Sequence, residues 1–190
     1  MEYERRIVLK DGRTCILRNG RAQDAEAALS NFLLTHHETD YLTSYPDENT
    51  TNVEQEGIFL QQKQASPDEI ELLAVVNDRV VGTAGIDRIG RREKVRHRAQ
   101  FGISVEKAFW GQGIGRALTE ACVECAKAAG YTQLELEVVA DNKAAMALYE
   151  RVGFVEYGRN PKGFRSRQTG WQELVLMRLE LEEEKRESEV

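Results

Sequence analysis

The chain sets short apolar runs between polar breaks, and two periods run through it. Arg6-Ile7-Val8-Leu9 and Thr14-Cys15-Ile16-Leu17-Arg18 flank Asp11-Gly12, which is the pattern of a β-hairpin closed by a tight turn. A helix capped by Asp24 is expected to reach about His37, with Ala25, Leu29, Phe32 and Leu33 as its apolar positions. A second is expected over about 52–64, carrying Val53, Ile58, Phe59 and Leu60. Residues 71–76 read as a buried strand, Asn77-Asp78 as a turn, and 80–86 as the returning strand. After a polar turn around 90–94, a further strand runs through 100–105. The clearest helical period then begins. Ile114, Ala117, Leu118, Ala121, Cys122, Cys125 and Ala129 recur at three-and-four spacing, and Gly130 is the expected stop. Residues 134–139 alternate as a strand, 142–152 read as a helix closed by Gly153, a strand begins at Phe154, and 172–181 form the last.

Hairpins come first and strand–helix alternation follows. That order predicts an α/β chain, an α+β sandwich with a mixed sheet flanked by helices. No internal repeat or linker divides it, so a single domain over 1–181 is expected, followed by an acidic tail over 182–190. Apolar residues make up 41% and charged residues 31%, ordinary for a globular domain. No apolar run approaches the ~20 residues of a membrane span, and the charged N-terminus lacks a signal core, so a cytoplasmic protein with no membrane partner is expected. The net charge of −6 argues against a nucleic-acid partner and suits a cationic substrate. Three cysteines, Cys15, Cys122 and Cys125, do not make a disulfide framework. Cys122 and Cys125 lie two turns inside a helix on its apolar face. They lack the further ligands of a zinc site and are expected to pack, and no metal is expected.

Between the strand at 100–105 and the long helix lies Trp110-Gly111-Gln112-Gly113-Ile114-Gly115-Arg116. Three glycines at alternate positions leave the backbone open. A helix N-terminus adds unpaired amides and the positive end of its dipole, which together suit a phosphate or pyrophosphate. The dinucleotide fingerprint would need a glycine where Arg116 stands, and a P-loop would need Lys-Ser/Thr after Gly115; both fail.

What remains resembles the pyrophosphate-binding segment of the GNAT superfamily of acyl-CoA-dependent N-acyltransferases. Gly113 and Gly115 match its glycine pattern, whereas Trp110 stands where the family has Arg or Gln. A second block resembles the family more fully: Asn142, Ala145, Leu148, Tyr149, Gly153 and Phe154 each hold the family residue. The resemblance covers roughly 71–181. It implies a mixed, mostly antiparallel sheet whose central strands splay apart, with about four flanking helices. It implies acetyl-CoA as cosubstrate, its pantetheine arm along Ile103, Ser104 and Val105 and its pyrophosphate on the amides of Gln112, Gly113, Ile114, Gly115 and Arg116. Asn142 would contact the pantetheine or phosphate side, and Tyr149 would point at the sulfur. Trp110 is expected to pack. A homodimer through terminal strands would be in keeping with the family.

The chemistry of the residues agrees with N-acetyl transfer to a primary amine on a small molecule or peptide. A strand amide left unpaired by splaying can polarise a carbonyl. An amine of pKa about 10.4 must lose a proton, and Tyr149 can protonate a departing thiolate. Candidates for the base are Glu38, Asp40, His97 and a water held by Gln100. His36 and His37, at a helix end, read as surface residues. The polar loop from Glu38 to Asn49, with Asp47 and Glu48, would cover the acceptor slot and favour a cation. Two other readings stay open: a CoA-binding module without catalysis, and an unrelated phosphate-binding fold.

Overall fold

The structure, a computed structural model, describes residues 1–181; the acidic tail over 182–190 lies outside the described residues. Eight strands form one sheet: β1 (Glu4–Val8), β2 (Thr14–Asn19), β3 (Ile70–Val76), β4 (Arg79–Arg88), β5 (Arg98–Val105), β6 (Gln133–Val139), β7 (Val155–Ser166) and β8 (Gly170–Glu180), in the order β1-β2-β3-β4-β5-β6-β8-β7. Helices α1 (Ala25–Glu38) and α2 (Val53–Ala65) cover one face, while α3 (Ile114–Ala128) and α4 (Lys143–Val152) cover the other. Every strand pair is antiparallel except β5–β6. This is the mixed, mostly antiparallel sheet with four flanking helices that the family resemblance implied.

The turns are where residue type decides. Asn77 and Asp78 both take positive φ, 49° and 60°, the conformation a two-residue hairpin of this twist needs. Asp24 opens α1, but its carboxylate does not cap it. It is held instead by Arg18, at 2.7 and 2.8 Å, and by the Arg21 amide. Asn52 does cap α2, accepting from the Gln55 amide at 2.9 Å in a reciprocal capping box.

The core lies mainly between the sheet and α3/α4. Ile114, Leu118, Ala121, Cys122, Cys125 and Ala126 pack down on Leu72, Ala84, Phe101, Leu134 and Leu136, so α3 turns inward the stripe that its period marked. On the other face the period misled. Leu33, Val53, Ile58 and Phe59 are exposed, whereas Asn31, Thr35 and His36 are buried along α1. His36 is not a surface residue: its ring stacks on Phe32 at 3.8 Å and its Nδ1 lies 2.8 Å from the Phe32 carbonyl. His37 is exposed.

Candidate active site

Strands β5 and β6 stay together for only three register pairs, Arg98↔Gln133, Ala99↔Leu134 and Gln100↔Glu135. Beyond them β5 continues against β4 as far as Gly82↔Val105, and β6 continues against β8 as far as Val139↔Leu174. The two centre strands therefore part, and residues 101–105 of β5 and 136–139 of β6 face a gap. Ile103, Ser104 and Val105 are half-buried along its edge. A two-point ion pair of Arg98 with Glu135 clamps the strands just before the split.

The glycine turn stands at the open end of that gap. Gly111 and Gly113 have φ of 74° and 103°, and Gly113 starts α3 in the left-handed region. The first amide to find a helical acceptor is that of Ala117, on the Gly113 carbonyl at 3.1 Å. Among the described residues, the amides of Gly113, Ile114, Gly115 and Arg116 have no backbone partner, the four orphan donors of a helix start. The glycines do not share one task. At Gly111 and Gly113 the backbone conformation excludes most side chains. At Gly115 a Cβ would come within 3.3 Å of Leu148 Cδ1, so this glycine lets α4 approach α3. Arg116 reaches into solvent and pairs with Glu120 at 2.7 Å. Trp110 is not packed away, being 46% exposed, and its indole Nε1 donates to the Val105 carbonyl at 2.7 Å. It thereby closes the end of β5 onto the turn.

Two acidic residues brace the turn against α1. Glu38 Oε2 accepts from the Lys107 amide at 2.7 Å. Glu106, 2% exposed, accepts from Asn31 Nδ2 at 3.1 Å and pairs with Arg79.

Tyr149 enters the gap from the α3/α4 side. It is 8% exposed, its ring edge-on to Phe101 at 6.1 Å and tilted against Phe154 at 5.9 Å. Burial pushes its phenol up to about 12, so it stays protonated through neutral pH. No hydrogen bond to its hydroxyl occurs among the described residues, nor is that oxygen among the sealed, unpartnered polar atoms. Asn142 caps α4 through its Oδ1, which accepts from the Ala145 amide at 3.2 Å.

The sequence candidates for a base separate. Asp40 is fully engaged on the β7–β8 hairpin: Ser166, Thr169 and Gln172 donate to its Oδ2 at 2.6, 3.2 and 3.1 Å, and Tyr45 to its Oδ1. Glu38 is held by the turn. His97 is exposed ahead of β5, ~26 Å from Val105 at 3.3 Å per residue. Gln100 sits where the strands are still paired. The carboxylate that the sequence reading missed is Glu137. Register and alternation put it on the α1/α2 face with Gln100, Ser104 and Glu135, two residues past the split, and it is exposed. The signal was the polar alternation Glu135-Glu137 in a strand bordering the split.

The three thiols are buried and free. Burial pushes Cys15 and Cys125 up to about 11 and Cys122 well above the ordinary thiol range, which leaves them inert as nucleophiles.

This fold has known counterparts. Residues 31–154 match the model of the acetyltransferase (GNAT) family, and the chain belongs to that family. It is 37% identical over 101 residues to the N-alpha-acetyltransferase RimI of Mycobacterium tuberculosis, a stretch covering 53% of this chain and 61% of that protein. Among solved structures, a GNAT-family acetyltransferase of Streptococcus pneumoniae superposes with a TM-score of 0.82 at 30% identity, covering 88% of this chain and 99% of that one. The fold is shared with yncA of Salmonella typhimurium, solved with its cofactor acetyl-CoA, at a TM-score of 0.78 and 20% identity over 90% of this chain and 96% of that one. The matched stretch spans about three-fifths of the length of that N-alpha-acetyltransferase, 61%.

Proposed function

We propose that the protein transfers an acetyl group from acetyl-CoA to a primary amine of a small molecule or peptide by direct attack. The observation that carries this reading is the parting of β5 from β6 after three pairs, with a turn of unpaired amides at its mouth and Tyr149 in its wall. Family membership supports it, as does the bound acetyl-CoA of the yncA structure. The donor set fits the cosubstrate. Positive-φ glycines clear the turn, and the amides of Gly113, Ile114, Gly115 and Arg116 would hold the pyrophosphate, whereas the Gln112 amide, expected to join them, donates to the Phe109 carbonyl at 3.4 Å. The free edge at Ile103, Ser104 and Val105 would pair with the pantetheine arm, with Asn142 beside it.

Acetyl-CoA supplies the electrophilic thioester carbonyl. An edge amide of β5 donates to its oxygen as charge develops there. Glu137, on the acceptor face, takes a proton from the incoming ammonium, directly or through one water. The amine nitrogen bonds to the carbonyl carbon, the carbon–sulfur bond breaks, the Tyr149 hydroxyl protonates the departing thiolate, and the second proton shed by the acylated nitrogen returns through water to the phenolate, so that only the proton on Glu137 is passed to solvent. The inert thiols leave no role for an acyl-enzyme. Three unpaired, buried cysteines also support a reducing compartment such as the cytoplasm.

Thiol release across a panel of amines tests this. Tyr149→Phe should lower turnover roughly 100-fold while leaving acetyl-CoA affinity nearly unchanged. Glu137→Gln should lower turnover roughly 100-fold as well, with acetyl-CoA affinity unchanged. Unaltered turnover in both would sink the assignment, and tight acetyl-CoA binding without turnover on any amine would favour a sensing module.

A further inference from the structure

A cavity of about 550 Å³ opens between α1 and α2 on the face away from α3 and α4. Phe32 and Phe59 stand on its two helical walls, Thr50 and Thr51 lie at its rim, and Glu71, Leu73 and Thr83 form its floor, with Glu56 on the α2 side. It is distinct from the split between β5 and β6. Helix α1 packs over β4 and β5 and separates the two, turning Ala28 and Phe32 to the cavity and Asn31 to Glu106 at the end of β5.

Lys63, buried on α2, is bonded to Asp87 and to the Ile86 carbonyl, lies 3.9 Å from Glu69, and holds its Nζ 5.5 Å from the centre of the Phe59 ring. Arg88 answers Glu69 at 2.8 Å and Asp68 at 3.0 Å. Glu71 and Glu56 have no ion pair within 4 Å among the described residues, although Lys63 and the Thr83 hydroxyl both favour the charged form of Glu71, and both carboxyls border the space. Burial raises both carboxyls, Glu71 to about 7. A carboxyl set in a strand beneath an open, aromatic-walled cavity is a poor structural element and a good counter-ion.

We propose that this cavity binds a small organic cation, an ammonium or guanidinium carried on an apolar body, with its charge over Glu71 and Glu56 and its body between Phe32 and Phe59. The volume is that of a small-molecule site. Two sources share this chemistry: a distal cationic group of the amine acceptor itself, or a separate ligand. The site does not depend on the acetyl-transfer reading.

The test uses benzyltrimethylammonium, which cannot be acetylated, and benzyl alcohol as its neutral counterpart, titrated calorimetrically into the full chain. Saturable binding of the cation is expected, with benzyl alcohol weaker. Glu71→Gln and Phe59→Ala should each weaken the cation roughly tenfold, while acetyl-CoA affinity in both variants stays at the wild-type value and reports an intact fold. Equal binding of benzyl alcohol, wild-type cation affinity in Glu71→Gln, or no saturable binding would overturn the proposal. Where the cation binds, competition against the amine acceptor marks the cavity as the far end of the acceptor site, and an acceptor KM unmoved by it marks a separate ligand.

Discussion

Tyr149, buried, and Glu71, half-buried on the cavity floor, show opposite uses of a desolvated ionisable group. In both, burial disfavours the charged form. For Tyr149 this keeps a proton on the hydroxyl at the gap, as a general acid requires. For Glu71 it is a cost to folding that the fold retains. The groups facing it are Lys63 and Glu56 of α2 and Thr83 and Asp87 of β4. Burial and the two carboxylates raise it, and Lys63 pulls it back only in part. Its folded pKa, about 7, lies above the ordinary 4.5. Below pH 4.5 both states are protonated and there is no penalty; between 4.5 and 7 the unfolded chain releases the proton first, so stability falls as pH rises. Glu71→Gln should therefore match the wild type near pH 4 and exceed it at pH 8 by about 1–3 kcal/mol, read from urea unfolding at both pH values. Equal stability at pH 8 would show that Glu71 ionises freely in the folded protein. At this scale the sequence was most legible where backbone chemistry is specific. Gly113, Asn142 and Tyr149 sit in the elements their motifs predicted. Glu137 was missed because its candidacy depends on which face of β6 borders the split, and that follows from a pairing with β5 more than thirty residues away.

Among the elements, α1 departs furthest from its sequence pattern. Its apolar positions were Ala25, Leu29, Phe32 and Leu33, but of these only Ala25 is buried, and the inner face otherwise carries Ala28, Asn31, Thr35 and His36. The reason lies at the end of β5. Glu106 is buried there, and a buried carboxylate must be answered by donors. Asn31 supplies one from α1 and Arg79 another from the start of β4. At the end of α1, Glu38 takes the Lys107 amide. Helix α1 thus grips the β5–α3 turn at two points and sets where the glycine turn begins. Periodicity registers apolar burial and is blind to a polar contact of this kind. Glu106→Ala strands the Asn31 amide and frees Arg79. It should cost about 1–3 kcal/mol of stability and weaken acetyl-CoA binding by loosening the turn. Thermal unfolding and a binding titration on the same variant check both effects. Lost stability with wild-type affinity would mean that the turn holds its shape without α1.

At the scale of the whole molecule, the sheet is two halves, β1–β5 and β6–β8–β7, joined at three parallel pairs. Hairpin signals and helix periods made each half legible. The joint was expected only through the family resemblance, because no local pattern announces where two parallel strands stop pairing. Arg98 with Glu135 secures one end of the joint, and Phe101, Tyr149 and Phe154 fill the core between the halves. A ligand lying in the gap would touch β5 and the glycine turn on one side and α4 on the other, and would stitch the halves together. Bound only by the folded chain, acetyl-CoA at 100 times its Kd should add about 2.7 kcal/mol. At about 2–4 °C per kcal/mol for a domain of this size, the melting temperature should rise by roughly 5–10 °C. Gly113→Asp places a carboxylate at a left-handed position in the midst of the amides, where it both strains the backbone and repels phosphate, and the rise should vanish in that variant. A full rise in Gly113→Asp would mean that the cosubstrate binds somewhere other than the gap, and the two halves would then owe their union to the core and the three-pair joint alone.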